Sequence, residues 1–404
     1  MDDTRDTPLQ PRLRVALVTE TYPPEVNGVA MTLGRMVDGL RRRGHSVQLV
    51  RPRQPGDGTA AAEDSLDEIL VRGLPIPGYG GLRFGLPAGS ALRRAWLRQP
   101  PDIVHVATEG PLGWSAVGAA RALRLPLSSS FHTNFDAYSR HYGVGWLKKP
   151  ISRYLRGLHN RTDATLVPTQ TLVQELAAQG YRNLSVLSRG VDVRLFNPAR
   201  RSDALRAAWG VAPSGLVVSY VGRIAREKNL HLVLAAFDAI KRVAGDAKLV
   251  FVGDGPMRRS LAARHPAHIF AGTRRGTDLA EHYASADVFL FPSLTETFGN
   301  VTTEALASGL GVVAYGCAAA ADLIEDGGNG RLVPPGDETA FIDAAVALAS
   351  HGENLVLTRT LAAPSVAHLD WERIHDGFAD ALAKRVVAHR GGPRSTNTFV
   401  AALD

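Results

Sequence analysis

The chain has 404 residues and 45% of them are hydrophobic, so it can bury large cores, and its length predicts two domains of ordinary size. The single cysteine, Cys317, excludes an intramolecular disulfide and fits a reducing cytosol, while no apolar run reaches the roughly 18 residues that span a bilayer. The net charge of +7 is concentrated towards the N-terminus, because residues 1–200 hold 26 Lys and Arg against 17 Asp and Glu.

The N-terminal half alternates strand-like and helix-like segments, which predicts an α/β domain with a doubly wound parallel sheet. Residues 1–11 carry three aspartates and no apolar core, so we expect no secretory signal there. Residues 56–62 and 73–89 are rich in Gly and Pro and are expected to be loops at the edge of a cleft. Strands are expected at 14–19, 46–51, 103–107, 127–132 and 164–168, with helices at 31–43 and 112–123.

The first strand runs into a loop that contains Asn27 and Gly28. This loop lacks the G-x-G-x-x-G pattern that lets a dinucleotide pyrophosphate approach a helix, which disfavours NAD binding. His132 ends a predicted strand, so its imidazole is expected at the cleft. A hydrogen-bonded structural histidine is the common alternative for any one of the 13 histidines, as a simple turn is for Gly28.

Residues 137–162 form a basic segment, with no Asp or Glu and with six basic side chains: Arg140, Lys148, Lys149, Arg153, Arg156 and Arg161. Apolar residues interleave at helical spacing, which is typical of an amphipathic helix on an anionic membrane surface. A surface helix with its apolar side on the core and a solvated basic side fits the same pattern. Nucleic-acid binding is disfavoured, because no recognised binding fold or aromatic stacking platform accompanies the charge.

A second set of strands predicts a second doubly wound domain. We place the N-terminal domain at residues 1–183 and the C-terminal domain at 184–367. The strands are expected at 184–187, 216–221, 248–252, 269–271, 288–292 and 311–314.

Two loops of the second domain bring cations and carboxylates to the ends of predicted strands. Arg223 and Lys228 follow one strand, and a planar guanidinium with a point-like ammonium suits a diphosphate. Glu296 and Glu304 follow another strand and bracket the start of a helix expected near Asn300, whose amide groups and dipole favour an anion. Carboxylates accept hydrogen bonds from sugar hydroxyls, so this pattern predicts a nucleotide-sugar site.

These residues carry a resemblance to a known family. The chain resembles the retaining glycosyltransferases of family 4, which have the GT-B architecture of two Rossmann-like domains facing across a cleft. Within that family it looks similar to the phosphatidylinositol and GDP-mannose-dependent α-mannosyltransferases and to the sulfoquinovosyl- and glucosyl-diacylglycerol synthases. The matching residues are Asn27-Gly28, 131–133, 190–192, Gly222-Arg223, Lys228, 252–256, Glu296 and Glu304.

The resemblance implies a role for each matched position. His132, Arg223, Lys228 and Glu296 would be catalytic, with His132 orienting the transferred sugar and no side chain acting as a nucleophile. A final helix at about 368–390 would return to complete the N-terminal domain. The donor-binding positions would be Asn27, Gly28, Gly222, Gly253, Gly255, Arg274, Phe298, Gly299, Asn300, Val301 and Glu304.

The implied activity is transfer of a hexose, from GDP-mannose or a UDP-hexose, to a hydroxyl of a lipid or lipid-linked acceptor. We expect a cytoplasmic enzyme at the inner face of the cell membrane that needs neither cofactor nor metal. A soluble or polysaccharide acceptor is the alternative within the family. A noncatalytic nucleotide-sugar-binding protein is the alternative of another class.

The chain departs from the family pattern in two places, one before and one after a predicted strand. The family commonly has a Gly-x-Pro before a strand and a Gly-Gly pair after it, where this chain has 309–311 and the alanine run 318–321. We expect the strand to persist and the alanine run to narrow the loop beside the donor.

Overall fold

The computed structural model describes residues 12–25, 27–54, 57, 67–75, 83–132, 148–350 and 352–391. In these ranges the chain forms two parallel sheets, each covered by helices, as the α/β prediction required. The expected N-terminal tail, residues 137–147 of the basic segment and most of the loop predicted at 56–62 lie outside the described residues.

Seven strands form the sheet of the N-terminal lobe, in the order β3-β2-β1-β6-β7-β8-β9, and all of its pairings are parallel. They are β1 (Arg14–Val18), β2 (Ser46–Pro52), β3 (Glu68–Val71), β6 (Ile103–Val106), β7 (Leu127–Ser130), β8 (Ala164–Val167) and β9 (Leu184–Val186). A two-stranded antiparallel ribbon of β4 (Gly73–Pro75) and β5 (Arg83–Gly85) lies within the segment that was expected to be a loop.

Six strands form the sheet of the C-terminal lobe, in the order β12-β11-β10-β13-β14-β15. This is the strand order of a dinucleotide-binding sheet, in which the winding direction reverses between β10 and β13. The strands are β10 (Val217–Val221), β11 (Lys248–Val252), β12 (Ile269–Gly272), β13 (Val288–Phe291), β14 (Gly311–Tyr315) and β15 (Gly330–Val333). The sequence pattern missed β15, since Gly and Arg occupy half of its four residues.

The helices of the N-terminal lobe are α1 (Gly28–Arg42), α2 (Gly89–Arg98), α3 (Pro111–Ala122), α4 (Lys148–His159) and α5 (Gln170–Ala178). Those of the C-terminal lobe are α6 (Asp203–Ala208), α7 (Leu230–Val243), α8 (Arg258–Arg264), α9 (Gly276–Ala284), α10 (Asn300–Ala307), α11 (Ala318–Leu323), α12 (Glu338–Ser350) and α13 (Gly352–Val366). The last helix is α14 (Trp371–Gly391).

One strand was assigned to the wrong domain. Leu184–Val186 pairs in parallel with Ala164–Val167 and forms the edge of the first sheet, so a boundary at 183/184 is wrong. The three-residue strand is only half-buried, and nothing in its composition distinguishes the two sheets. The first sheet ends with β9, and the connection to the second lobe begins after it.

The alanine run also differs from the expected loop. It begins α11, and its first residue, Ala318, has a left-handed φ of +51. Glycine adopts this conformation more easily than alanine, so the family's glycine pair fits the same backbone. The Ala319 amide donates to the Phe298 carbonyl at 2.8 Å, which ties this helix to the loop after β13.

The C-terminal helix returns to the N-terminal lobe. Arg43 of that lobe donates to Asp376 at 2.6 Å and to Glu372 at 3.0 Å on α14. Near the other end of the helix, Arg390 donates to Asp102 at 2.6 Å. The helix is therefore held to the first lobe at both ends.

A second contact between the lobes is made by Asp322 of α11. Its carboxylate accepts hydrogen bonds from the Gln170 amide and the Thr171 hydroxyl, each at 2.6 Å, at the start of α5. We expect Asp322→Ala to lower the free energy of unfolding by about 1 kcal/mol, as loss of a helix N-cap does. Thermal melts would test this, with Asp343→Ala, which changes an exposed aspartate on α12, as the control. Equal melting temperatures for the two variants would contradict it.

Candidate functional site

The two lobes enclose a cavity of about 690 Å³. It is lined by the loops after β1 and β6 of the first sheet and by the loop after β13 of the second. Both sheets therefore present to the cavity the strand ends where their winding direction reverses, which is where open α/β sheets bind ligands. The predicted residues that line it are Asn27, Gly28, His132, Glu296, Phe298, Gly299 and Asn300.

Glu296 and Lys228 form the charged centre of the C-terminal wall. They come from the loops after β13 and β10, which are neighbouring strands. The Lys228 ammonium donates to Glu296 Oε1, and the Ser293 hydroxyl donates to the same oxygen at 2.9 Å. Lys228 does not line the cavity itself, but its partner does, so the predicted pairing of these two loops holds in the fold.

Arg223 occupies a different position. Its guanidinium is about half exposed and pairs with Glu227 at 3.5 Å on its own loop, outside the cavity lining. Arg274 is likewise engaged locally, with the Ala271 carbonyl at 2.9 Å and with Asp278 at 3.1 Å. Glu296 is not among the partners of either guanidinium.

The helix predicted near Asn300 begins at that residue. Gly299 precedes it with a left-handed φ of +85, a conformation that favours glycine. Asn300 lines the cavity and its buried Oδ1 has no hydrogen-bond partner among the described residues. The Phe298 ring is buried beside it, and Val301 packs against the hydrophobic core instead of the cavity.

Glu304 lies one turn into α10 and is not part of the cavity lining. The Tyr283 hydroxyl donates to its Oε2 at 2.9 Å. Burial disfavours the charged form and raises the pKa of Glu304 to about 7, although the tyrosine acts in the opposite direction. This carboxyl therefore titrates near neutral pH.

Three of the predicted glycines are explained by packing between strand ends. A Cβ on Gly253 would lie 2.0 Å from the Gly222 carbonyl oxygen, and one on Gly255 would lie 2.4 Å from that of Ile224. Gly222 and Gly253 also have φ of +147 and +133. The close approach of the loops after β10 and β11 thus requires these glycines without any ligand.

Gly28 has a different environment. It is the first residue of α1, which begins three residues before the predicted start because Asn27 Oδ1 caps the Ala30 amide at 2.8 Å. A Cβ on Gly28 would meet no protein atom within 4 Å, although the residue lines the cavity. Packing does not require glycine here, so the space in front of it is available to a ligand.

His132 and Arg189 both line the cavity between the lobes. Both are buried, and Arg189 Nη2 lies 3.3 Å from His132 Nδ1 and 3.3 Å from its carbonyl oxygen. The guanidinium carbon stands 5.7 Å from the centre of the Phe298 ring. Sequence analysis missed Arg189, although it immediately precedes the 190–192 segment that carried the family resemblance.

The N-terminal wall contains carboxylates that sequence analysis also missed: Glu20, Glu25 and Glu109. Glu20 accepts from the Leu112 amide at 3.0 Å, and burial raises the pKa of Glu20 to about 7. The signal was available in the sequence, since Glu20 follows β1 and Glu109 follows β6, the central pair of the sheet.

Helix α4 carries the described part of the basic segment. Its Leu155 and Leu158 are buried, while Ile151, Tyr154 and Leu155 line the cavity. Arg153 is exposed. Among the described helices, none combines the length and the apolar character needed to cross a bilayer. Across the same residues we find no group of three or more His, Cys, Asp or Glu side chains arranged to hold a metal ion.

Comparison with known proteins identifies both halves of the chain. A family model described as "Glycosyltransferase Family 4" matches residues 26–195, and one described as "Glycosyl transferases group 1" matches residues 215–351. A GDP-mannose-dependent alpha-mannosyltransferase of Mycobacterium tuberculosis is 36% identical over 84% of this chain and 88% of its own length.

More distant relatives extend the comparison. The alpha-monoglucosyldiacylglycerol synthase of Streptococcus pneumoniae is 27% identical over 92% of this chain and 86% of its own length. The crystal structure of Anabaena HepE in complex with UDP superimposes with a TM-score of 0.72, covering 92% of this chain and 100% of that one at 20% identity. At that identity the superposition shows the fold, which confirms the expected GT-B architecture.

Proposed function

This chain belongs to glycosyltransferase family 4, and we propose that it transfers mannose from GDP-mannose to a hydroxyl of a lipid or lipid-linked acceptor with retention of the anomeric configuration. Its membership makes it a glycosyltransferase that uses a nucleotide sugar. The single observation that carries the proposal is the cavity between the lobes, which is lined by Glu296 and the start of α10, with the Lys228 ammonium bonded to Glu296 from behind the lining.

The donor diphosphate is assigned to the C-terminal wall. The amide groups at the start of α10 and the Lys228 ammonium supply positive charge there, and Gly28 leaves open space opposite them. Arg223 is about half exposed and, among the described residues, pairs with Glu227 alone, so its guanidinium is free to turn towards a bound phosphate. These groups stabilise the leaving diphosphate as its charge grows, and the proposed reaction needs no metal ion.

The transferred sugar is assigned to the space between Glu296 and His132. Glu296 accepts hydrogen bonds from sugar hydroxyls, and His132 lines the same cavity from the N-terminal lobe. We assign no side chain as a nucleophile, so the departing phosphate takes the acceptor's proton on the same face of the sugar. Glu304 is assigned to the ribose diol.

The acceptor is assigned to the N-terminal wall. There Ile151, Tyr154 and Leu155 of α4 provide an apolar surface beside the carboxylates of Glu20 and Glu109. Such a wall fits an acceptor with hydroxyl groups at one end and an apolar body at the other. The names of the S. pneumoniae and M. tuberculosis relatives support a diacylglycerol-type acceptor and a GDP-mannose donor.

The proposed location is the cytoplasmic face of the membrane. Helix α4, in the described part of the basic segment, would face anionic lipid with its exposed Arg153. Its buried leucines pack on the lobe, so the membrane contact would come from the basic side chains.

Nucleotide binding gives the first test. We expect GDP to raise the melting temperature of the protein, because a ligand at about 100 times its Kd stabilises by about 2.7 kcal/mol. Arg223→Ala should abolish the shift, since it removes a cation from the diphosphate. The measurement is a thermal-shift titration with GDP, UDP and ADP.

The matched control is Arg258→Ala. Arg258 is also a partly exposed arginine that pairs with an acid four residues away, Asp254, at 3.3 Å. The Arg258→Ala variant should show the same GDP-induced rise in melting temperature as the wild type. If none of the three nucleotides raised the melting temperature, the proposal would be overturned. A protein that binds GDP but releases none from GDP-mannose in the presence of membrane extract would be a noncatalytic binder. Radiolabelled mannose in the lipid extract would identify the acceptor class.

A further inference from the structure

We propose that Arg189 is a positioning residue, which holds His132 as a neutral imidazole with its proton on Nε2, ready to donate to an oxygen of the transferred sugar. The inference rests on the proposed function, because it concerns the protonation state of His132, which lines the proposed donor site. Arg189 acts through His132 and carries out no chemical step itself.

The tautomer follows from the contact between the two side chains. Arg189 Nη2 lies 3.3 Å from His132 Nδ1. A guanidinium has only N–H donors, so Nδ1 must be the acceptor and must carry no proton. In a neutral imidazole the proton is then on Nε2.

The resulting Nε2–H group has no partner in the described part of the chain. The atom is buried, and His132 lines the cavity. Buried donors are nearly always hydrogen-bonded, so an unpaired donor at a cavity wall indicates a ligand oxygen that completes it. The buried Oδ1 of Asn300 and Oγ1 of Thr295 lack partners on the same cavity, which supports a polar ligand there.

The surroundings of His132 favour the neutral form. Burial and the positive charge of Arg189 hold the pKa of His132 well below its usual value, with smaller effects from His105 and His159. His105 lies between Ser128 and Ser130 at 2.9 Å from each hydroxyl, and burial lowers the pKa of His105 to about 3. Burial lowers the pKa of Arg189 to about 10, while Glu296 of the other lobe acts in the opposite direction, so the guanidinium stays charged near neutral pH.

Arg189 is itself fixed between the lobes. It follows β9 of the N-terminal sheet, it bonds the carbonyl of His132, and its guanidinium stands over the Phe298 ring of the C-terminal lobe. The donor loop and the histidine are therefore connected through one rigid, planar cation. A neutral side chain of similar length would keep the volume and lose both the hydrogen bonds and the charge.

The first test reads the tautomer directly. Long-range ¹⁵N–¹H spectra of the full-length protein with ¹⁵N-labelled histidine should show His132 protonated at Nε2 and neutral throughout about pH 6 to 8. His132→Gln assigns the signal by its disappearance. A wild-type His132 that carries its proton on Nδ1, or that titrates in this range, would overturn the inference.

The second test uses Arg189→Met. Loss of the cation raises the pKa of His132, although burial still lowers it, so the acid limb of kcat should move to higher pH. Loss of the fixed tautomer should lower kcat by about tenfold or more, since removing such a donor outright costs about 10²- to 10³-fold. GDP affinity should change by less than about twofold, because the diphosphate is held elsewhere. Arg189→Lys keeps a charged donor and should keep the Nε2–H tautomer.

Arg43→Met serves as the control, because it removes an arginine that ties α14 to the first lobe away from the cavity lining. It should leave the His132 signals and the pH profile unchanged. An Arg189→Met protein with wild-type tautomer and acid limb would contradict the positioning role. Failure of the proposed function differs from this result, since it would appear as no GDP response in a protein whose His132 tautomer is intact.

Discussion

Lys228→Ala is expected to lower kcat for sugar transfer by about 10²- to 10³-fold. The ammonium is the cation nearest to Glu296, and we assign to it the growing negative charge of the leaving diphosphate. This interaction strengthens in the transition state, so its loss should appear in kcat more than in the apparent affinity for the donor. Steady-state transfer from GDP-mannose to lipid acceptor would measure it.

Two substitutions separate charge from packing in this prediction. Lys228→Arg keeps the charge but replaces a point-like donor by a planar fork, so we expect partial activity. Lys241→Ala changes an exposed lysine on α7 and should have wild-type kcat. A Lys228→Ala enzyme with wild-type activity would indicate that the diphosphate binds away from the Glu296 loop. It would therefore contradict the assignment of the diphosphate to the C-terminal wall.

The sequence was sufficient to predict which loops meet at the cavity but not how each cation is oriented. Open α/β sheets bind ligands at the strand ends where the winding direction reverses. This rule placed Lys228 and Glu296 together, because β10 and β13 are adjacent at that reversal. It placed Arg223 at the same site, but the guanidinium of Arg223 pairs with Glu227 on its own loop. Side-chain orientation depends on nearby partners that a strand pattern does not contain.

Glycine patterns were the least reliable guide to contacts. Gly253 and Gly28 both carried the resemblance, yet a Cβ on the first would meet a backbone oxygen and one on the second would meet nothing. Only the three-dimensional surroundings distinguish a glycine that two loops require from one that leaves room for a ligand. Arg189 was missed for the opposite reason, since a buried arginine gives no periodic signal and its role depends on His132 and Phe298 beyond its own segment.

Glu304→Gln is expected to weaken GDP binding by about 10- to 100-fold, as loss of hydrogen bonds to a charged group costs about 1.5 to 3 kcal/mol. The wild-type carboxyl, with its pKa raised by burial to about 7, should bind the ribose diol best when ionised. Affinity should therefore fall as the pH decreases through about 7, and the variant should lack that dependence. Calorimetric titration of GDP across this range would test both statements.

The sign of the pH effect follows from linkage. A carboxyl whose pKa is raised by folding contributes stability that is fully present below its unfolded pKa and is lost as the pH rises through about 7. Two hydroxyl donors of a ribose favour the ionised form, so GDP binding should release a proton below that pH. The GDP phosphate also titrates at about pH 6, and the Glu304→Gln enzyme supplies that background.

Tyr283→Phe sharpens the test, because the tyrosine donates to Glu304 Oε2 and so favours the carboxylate. Without that donor the pKa of Glu304 rises further, and the midpoint of the affinity profile should move to higher pH while the maximum affinity at high pH stays near wild type. Glu353→Gln, at an exposed position on α13, should change neither the midpoint nor the affinity. If the pH profile of GDP affinity for the wild-type enzyme matched that of Glu304→Gln, Glu304 would not bind the ribose. It would then be a buried structural carboxyl bonded to Tyr283.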